Sequence, residues 1–326
     1  MGQHNKVRIP IVEDIKQSIY QGVWKTGEKL PSVNSFIKKY GVSRVTIFRV
    51  LQELKDSGII ISKDRVGYFV SNEQETGTKR VMLCLTAFDP YHEVLYKEIV
   101  NGVNPEKVSI DVFFHHCNPD VFRSVVKDHI GYYRLYVVIP FRHPAVRTVL
   151  KDIPRHRLLQ IARPPVVSGT SYICQEFHDE VLAALMKVKY RIVHYNRFTM
   201  IFSEIIRYLD EIKSAFTTFC EQVGIDYSIE NEINKDMIRR GTAFFTFSDN
   251  DLIKIIEWSE SKGFKLGNEM GLISYNDTPM KKIIRNGVTV ISPDFQQMGR
   301  AISRFIETRR PTETTIPTEL ILRNSL

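Results

Sequence analysis

The clearest periodic pattern of apolar residues in this chain lies within residues 41–54. Four of them recur there at positions i, i+3, i+4 and i+7: Ile47, Val50, Leu51 and Leu54. That spacing places all four on one face of an α-helix and predicts that this face packs against a core. Ser43 precedes them, where its hydroxyl can accept a hydrogen bond from a free amide of the first turn.

The opposite face of this helix is basic. It carries Arg44, Thr46 and Arg49, and no acidic residue occurs in its first two turns. Such a face suits insertion into the major groove of DNA, where arginine can bind guanine edges or phosphates and where the helix N-terminus favours phosphate. The alternative is a solvated basic face on an ordinary core helix, so the flanking segments must decide between the two.

The flanking segments predict a helix-turn-helix followed by a β-hairpin. A first amphipathic helix is expected to begin after Pro10, and Ser32 can cap a second helix. Residues 59–61 and 67–70 form two short strand patterns around a basic tip. Helices followed by such a hairpin indicate a winged helix-turn-helix, which is a DNA-binding fold.

The rest of the chain alternates apolar strands with amphipathic helices. Strands are predicted at residues 81–85, 108–114, 135–139 and 158–161, and in a second series at 191–195, 243–247, 271–275 and 288–291. Helices are predicted at residues 91–103, 120–129, 144–151, 204–223, 251–262 and 295–307. Repeated βα units imply an α/β fold with parallel sheets. Two series suggest two lobes with a ligand between them, at the carboxyl ends of the strands.

A polar stretch without periodicity separates the two patterns. We therefore expect a DNA-binding domain at residues 1–72, a linker at 73–79 and a two-lobed domain at 80–326. The charge distribution agrees with this division. The chain has a formal net charge of +8, and residues 1–70 hold twelve lysines and arginines against six acids. This excess favours a polyanion as the partner of the small domain.

Cysteine spacing and hydropathy exclude several classes of protein. The four cysteines lie far apart and form no CxxC pair, so neither a disulfide framework nor a zinc knuckle is favoured. The longest apolar run, residues 135–141, is too short to span a bilayer, and the N-terminus lacks a signal pattern. We expect a cytoplasmic protein without a membrane partner. Phosphate-binding glycine loops and hydrolase motifs are absent from the sequence, and we expect no cofactor.

Several spaced motifs in residues 30–70 agree at once with a known DNA-binding domain. They are Leu-Pro-Ser before the second helix, Val-Ser-Arg before the third, and a hairpin that ends in Gly-x-Phe-Val. In these motifs the chain resembles the GntR family of bacterial regulators. The resemblance implies DNA contacts by Ser32, Asn34, Ser43, Arg44, Thr46, Arg49, Lys63, Arg65 and Gly67.

The chain departs from this family pattern in three places. Val33 and Asn34 stand where the family has an acid and an arginine, Phe48 replaces a common arginine of the third helix, and Arg65 replaces a wing glycine. The fold implied by the resemblance is unaffected, but recognition of the bases is expected to differ.

Residues 240–326 carry a second set of motifs. They are SDN at 248–250, SYND at 274–277 and SPDFQQMGRAI at 292–302. In these motifs the chain resembles the effector domains of LacI-type regulators, which share the fold of periplasmic sugar-binding proteins. The resemblance implies that Asp249 and Asn276 bind sugar hydroxyls and that Phe295 stacks on the ligand. The alternatives are that Asp249 and Asn276 cap the following helices and that Phe295 is a core residue.

The first lobe offers further candidate ligand residues in two loops. After the first strand come Phe88, Asp89, Tyr91 and His92, and after the third strand comes Arg142. Both loops are expected to open on the cleft, although a solvated loop is an equally simple interpretation. Ile212 stands where family members carry an arginine, which leaves the identity of the sugar open.

Three functional hypotheses remain. The first is a sequence-specific transcriptional regulator, expected to be a repressor, that binds operator DNA as a homodimer under the control of a monosaccharide or a derivative of one. The second is an enzyme fused to a DNA-binding head, but the lysine-based cofactor setting this needs is not found. The third is a sensor domain that has lost its ligand and only dimerises. A metal site at residues 115–117 is disfavoured because adjacent residues of a strand point to opposite faces.

Overall fold

The computed structural model describes residues 3–56, 58–64, 66–71, 79–203 and 209–326. The first of these form a winged helix-turn-helix with three helices, α1 (Gln3–Tyr20), α2 (Val33–Tyr40) and α3 (Arg44–Asp56). Strands β1 (Ile60–Lys63) and β2 (Gly67–Val70) pair antiparallel as the wing. The predicted architecture of this domain is confirmed. The four periodic residues of α3 are fully buried in its core.

The predicted start of the first helix is wrong. Helix α1 begins at Gln3 and passes through Pro10. Proline removes one backbone donor and fixes φ near the helical value, so a helix can continue through it at the cost of one hydrogen bond. The predicted start followed the apolar spacing of Ile11, Val12 and Ile15, all of which are buried.

The first lobe is built on a parallel sheet. Its strands are β3 (Lys79–Leu85), β4 (Val108–Phe114), β5 (Leu135–Val138), β6 (Leu158–Ala162), β7 (Ser171–Gln175) and β13 (Glu313–Ile316). They are arranged in the order β13-β7-β6-β5-β3-β4. Helices α4 (Pro90–Asn101) and α12 (Phe295–Thr308) cover one face, and α5 (Pro119–Lys127) and α6 (Pro144–Lys151) cover the other.

The second lobe repeats this plan with one antiparallel edge. Its strands are β8 (Arg197–Ile201), β9 (Asp226–Glu230), β10 (Thr242–Thr246), β11 (Met270–Tyr275), β12 (Thr289–Pro293) and β14 (Thr318–Ile321). The order is β14-β12-β11-β10-β8-β9, with β14 antiparallel to β12. The covering helices are α7 (Asp179–Lys187), α8 (Lys189–Ile192), α9 (Asp210–Val223), α10 (Asp249–Ser261) and α11 (Pro279–Ile283).

Within the described residues, the chain passes between the lobes at three places. It leaves the first lobe after β7, returns from β12 into α12, and leaves again between β13 and β14. The carboxyl ends of both parallel sheets therefore border one cleft, which is where an α/β sheet places its ligand. The predicted class, a two-lobed α/β domain with parallel sheets behind a winged helix-turn-helix, is confirmed.

The sequence patterns misplaced or missed several elements of this domain. Residues 191–195, predicted as a strand, contain the end of α8 and a turn, and the strand begins at Arg197. Strands β7, β9 and β13 and helices α7 and α11 were missed. Short apolar runs cannot be assigned to a strand or a buried helix by periodicity alone. The part of the predicted helix at residues 204–208 and the linker at 73–78 lie outside the described residues, and Lys79 already belongs to β3.

None of the helices in the described ranges has an apolar stretch long enough to cross a membrane.

Candidate nucleic-acid interface and effector cleft

Helix α3 presents its basic residues on the side away from the core. Arg44 and Arg49 are both exposed. The amide of Thr46 donates to Ser43 Oγ at 3.3 Å, and the two hydroxyl oxygens are 2.9 Å apart. Ser43 therefore caps the helix, and its hydroxyl also contacts the hydroxyl of Thr46. The helix N-terminus with its two arginines is the surface that faces solvent.

The remaining candidate DNA residues lie on the same small domain. Ser32 caps α2 by accepting from the amide of Ser35 at 3.2 Å, and Asn34 is exposed in the first turn of that helix. Lys63 is exposed at the tip of the wing, and Gly67 takes a φ of 132° there. Arg65 lies outside the described residues.

A cavity of about 540 Å³ lies between the two lobes of the larger domain. Six of the eight residues named above as ligand candidates line it: Asp89, Tyr91, His92, Asp249, Asn276 and Phe295. They lie just beyond the carboxyl ends of β3, β10, β11 and β12. The parallel sheets therefore bring together residues as far apart in sequence as Asp89 and Phe295.

The structure places the other two candidates away from this cavity. Phe88 is exposed and packs edge-on against Tyr96 and Phe114, with ring centroids 6.3 and 6.0 Å apart. Arg142 lies 2.5 Å from Glu211 at the start of α9 and forms an exposed ion pair between the lobes. Neither side chain therefore lines the cavity: Phe88 packs against rings of its own lobe, and Arg142 pairs with a residue of the second lobe.

Aromatic rings form one wall of the cavity. The ring centroids of Tyr91 and Phe295 are 4.9 Å apart, and those of Tyr91 and His92 are 4.2 Å apart. Phe295 also belongs to the core of the first lobe, so the two interpretations of this residue, core and cavity lining, both hold. A flat apolar wall of this kind suits the C–H face of a ring-shaped polar ligand.

No sequence pattern pointed to Lys281, the residue that organises the second lobe's side of the cavity. Lys281 on α11 is only 3% exposed. Its ammonium lies 3.2 Å from Asp249 Oδ1 and donates to the carbonyls of Tyr275 and Asn276 at 3.0 and 2.9 Å. Burial lowers the pKa of Lys281, and the carboxylate of Asp249 opposes that shift. Lys281 thus fixes both the carboxylate and the end of β11.

The capping alternative for Asp249 and Asn276 does not fit the geometry. Ser248 is the residue that caps α10, since its Oγ accepts from the amides of Asn250 and Asp251 at 3.2 and 3.4 Å. Asn276 lies two residues before the cap position of α11, which Thr278 occupies. Both candidate side chains are therefore available to the cavity rather than committed to a helix end.

Three buried polar atoms in the cavity lack a hydrogen-bond partner within the described part of the protein. They are His92 Nδ1, Asn276 Oδ1 and Thr278 Oγ1. His92 Nδ1 is 3.6 Å from Asp89 Oδ2, too far for a good hydrogen bond, yet the neighbouring histidine holds the pKa of Asp89 below its usual range. A buried polar atom without a partner costs about 1–3 kcal/mol, so the cavity is chemically incomplete without a polar ligand or ordered water.

A hydrogen bond at the back of the cleft joins the two lobes. The hydroxyl of Tyr275, at the end of β11, donates to Gln175 Oε1, at the end of β7, at 3.0 Å. Both side chains are buried, and both line the cavity. The bond fixes the separation of the two sheets in this state of the cleft.

The chain joins a winged helix-turn-helix to a two-lobed α/β domain with a cavity between its lobes. Comparison with known families agrees with both parts. Residues 10–70 match the family of bacterial regulatory proteins, gntR family, and residues 193–326 match the periplasmic binding protein-like domain. The chain thus combines a GntR-type helix-turn-helix with a periplasmic-binding-protein-like domain.

Curated relatives match only part of the chain. One is the histidine utilization repressor of Klebsiella aerogenes, 38% identical over 66 residues, which are 19% of this chain and 27% of that protein. Another is the probable fructoselysine utilization operon transcriptional repressor of Escherichia coli, which is 29% identical over 112 residues. These residues are 34% of this chain and 44% of that protein. The chain therefore spans less than half the length of these relatives.

Solved structures resemble the larger part of the chain. The trehalose repressor of Escherichia coli superposes with a TM-score of 0.62 at 15% identity, covering 74% of this chain and 99% of that one. A LacI family regulator of Lactobacillus casei with bound glucose gives a TM-score of 0.65 at 14% identity, covering 76% and 100%. At such identities the likeness establishes the fold.

The Lys281–Asp249 pair predicts coupled stability effects. Asp249→Ala should lower the free energy of unfolding by about 1–3 kcal/mol, because it leaves a buried ammonium without its carboxylate. Adding Lys281→Met should cost less than the sum of the two single changes, with a coupling of about 0.5–3 kcal/mol. Urea denaturation of the wild-type protein, the two single variants and the double variant measures this coupling free energy.

The exposed pair of Arg285 and Glu260 on the same lobe is the matched control. Glu260→Ala should change the free energy of unfolding by less than about 1 kcal/mol. Strict additivity of the Asp249 and Lys281 variants would contradict the assigned interaction.

Proposed function

We propose that this protein is a cytoplasmic transcriptional repressor that binds operator DNA as a homodimer and responds to a small polyhydroxylated effector. The effector, a monosaccharide or a derivative of one, occupies the cavity between the lobes. The single observation that carries this proposal is that three cavity-lining residues, drawn from both lobes, have a buried polar atom without a hydrogen-bond partner in the described part of the protein: His92, Asn276 and Thr278.

A sugar matches this set of groups. Hydroxyls can both donate and accept, so they can satisfy an amide oxygen, a threonine hydroxyl and either tautomer of a histidine nitrogen. Asp249 adds a carboxylate that accepts from hydroxyls, and the wall of Tyr91 and Phe295 suits the apolar face of a sugar ring. Lys281 already donates to three oxygens, so all three of its protons are used within the protein. It is therefore not a ligand-binding group in this scheme.

The winged helix-turn-helix at residues 3–71, called the head below, contacts the first lobe. Through this contact, effector binding can influence binding to DNA. Lys16 of α1 is 1% exposed, and its ammonium lies 3.3 Å from the ring centroid of Tyr132. Gly131, with a φ of 92°, brings the backbone close beside the Lys16 side chain. This loop leads into β5, and Ile139 just beyond that strand lines the cavity. Effector binding can then bias head orientation through the difference in affinity for two lobe arrangements.

The homodimer is proposed to form through the second lobe. Four apolar side chains are exposed there on α11 and on the edge strand β14 with the residue that follows: Met280, Ile283, Ile321 and Leu322. Pro279 and Ile321 line the same surface depression, so the two segments are neighbours. A second copy of the chain is the proposed partner of this patch, because one winged head contacts few base pairs and specificity calls for two.

The DNA-binding prediction concerns the two exposed arginines of α3. Arg44→Ala and Arg49→Ala should each weaken binding to the selected operator, by about 1–3 kcal/mol where the arginine contacts a base and by less where it contacts only phosphate. Electrophoretic shift assays at fixed salt measure the change. Lys127→Ala, on the first lobe, should leave affinity unchanged. If both arginine variants bound DNA with wild-type affinity, the assignment of α3 to the major groove would be wrong.

The effector prediction uses an isosteric change. Thr278→Val removes an unpartnered buried hydroxyl, so the ligand-free protein should keep or raise its melting temperature. The thermal shift produced by the active member of a panel of monosaccharides should shrink, with affinity falling roughly tenfold for a lost hydrogen bond of about 1.4 kcal/mol. Differential scanning fluorimetry measures both. Thr148→Val, an exposed change on α6, serves as the control.

A normal sugar response in Thr278→Val would exclude this hydroxyl from the site. A panel in which no sugar shifts the melting temperature of the wild-type protein would favour a domain that only dimerises.

The assembly prediction tests the exposed patch. Ile283, which is 77% exposed, can be changed to aspartate without disturbing a core. Ile283→Asp should convert the dimer into a monomer, because a charge in an apolar interface must be desolvated. Light scattering measures the mass, and Lys282→Asp on the same helix controls for added charge. A wild-type monomer with a non-symmetric footprint on DNA would contradict the proposal.

A further inference from the structure

Two large apolar side chains are exposed on the helix that carries the DNA-binding arginines. Val45 is 60% exposed and Phe48 is 42% exposed, whereas the four periodic residues of α3 named above are fully buried. The core face of α3 is therefore complete without Val45 and Phe48. Their exposure calls for an explanation other than packing of the head itself.

Helical spacing places these apolar residues among the basic ones. Val45, Phe48 and Arg49 occupy positions i, i+3 and i+4 and so share one face of the helix. Arg44 lies beside them, with its guanidinium carbon 5.6 Å from the centroid of the Phe48 ring. The surface presented to DNA is thus a phenylalanine flanked by two arginines, near the N-terminal end of the helix.

The chemistry of the major groove limits what such a ring can contact. Base edges there offer hydrogen-bond donors and acceptors, and the apolar group among them is the 5-methyl of thymine. A phenyl ring cannot pair with a guanine edge or a phosphate, so facing either one would leave a polar group without its hydrogen bond. Burial of the ring against a methyl removes apolar surface of both partners from water.

We propose that Phe48 is a specificity-determining residue that selects a thymine, through its 5-methyl group, at one position of each operator half-site. This inference rests on the proposed DNA-binding function of the head and adds the base that α3 selects. Arg44 acts as a positioning residue, because its guanidinium lies over the ring and limits its rotation. Val45 extends the apolar surface on the preceding turn.

The test begins with selection of binding sites from a randomised DNA pool by the full-length protein. Each thymine of the selected site is then replaced in turn by uracil, which deletes only the methyl group. One position per half-site should lose affinity about threefold to tenfold, the effect expected for one buried methyl. A 5-methylcytosine–guanine pair at that position should bind more tightly than a cytosine–guanine pair, because it restores the methyl.

Variants of Phe48 link this position to the protein. Phe48→Ala should lose a similar factor on the thymine site and should show no further loss on the uracil site, as a double-mutant cycle requires. Phe48→Arg should shift the selected base at this position from thymine towards guanine. Arg49→Ala is the matched control: it should weaken binding overall yet keep the sensitivity to uracil.

The possible outcomes separate this proposal from the function on which it rests. If the wild-type protein selects no site, the DNA-binding function itself fails. If a site is selected but no thymine shows a methyl effect that depends on residue 48, the assignment of Phe48 is overturned while the regulator remains. Because Phe48 is partly exposed, both of its variants should keep the wild-type melting temperature, and the uracil scan of the wild-type protein stands without them.

Discussion

The crossings of the chain between the two sheets are the constraint on which the sensor depends. A parallel sheet brings all its strands to their carboxyl ends at one edge, and polar side chains placed there converge. The connections after β7, β12 and β13 hold two such edges against each other. The cavity follows from this arrangement, since neither lobe alone encloses it. The Tyr275–Gln175 hydrogen bond then fixes the gap at its back.

The electrostatics of the cavity divide its polar groups into two kinds. Lys281 and Asp249 are held in an internal network, and the lysine ties the end of β11 as well. The pair fixes the position of the Asp249 carboxylate, because the Lys281 ammonium is buried and held by two backbone carbonyls. Asn276 and Thr278 instead leave buried polar atoms without partners. The first kind supplies rigidity, and the second supplies the unmet hydrogen-bonding capacity that a ligand would fill.

The contact between head and sensor bears on how the two activities are linked. Lys16 of α1 is buried against Tyr132, and this contact fixes where α1 packs on the first lobe. The Lys16 ammonium lies over the Tyr132 ring and also 3.1 Å from Glu13 Oε1, and both contacts stabilise its buried position. A rearrangement of the lobe that displaces Tyr132 would therefore change the contact with α1.

Local sequence patterns were sufficient to predict the class of each domain and much of the surface chemistry. The stripe of α3, the cap at Ser43 and the exposed arginines follow from local periodicity, because a helix fixes which side chains share a face. Asp89 could be named because it follows an apolar strand, which is a local feature, whereas Asp249 and Asn276 were named from motifs that resemble those of LacI-type effector domains. Residues 191–195 were misassigned because a short apolar run fits a buried helix and a strand equally well.

Which of these residues meet, and what charge each one faces, depends on how distant segments pack. Phe88 and Arg142 follow strands as well, yet Phe88 packs against rings of its own lobe and Arg142 pairs with Glu211 of the second lobe. Lys281 carried no signal, since a lysine in a polar stretch is ordinarily solvated. Its burial depends on the carbonyls of Tyr275 and Asn276 and on the carboxylate of Asp249, which lies 32 positions earlier in the sequence. Local pattern fixes the direction of a side chain, but only the packing of distant segments fixes its partner.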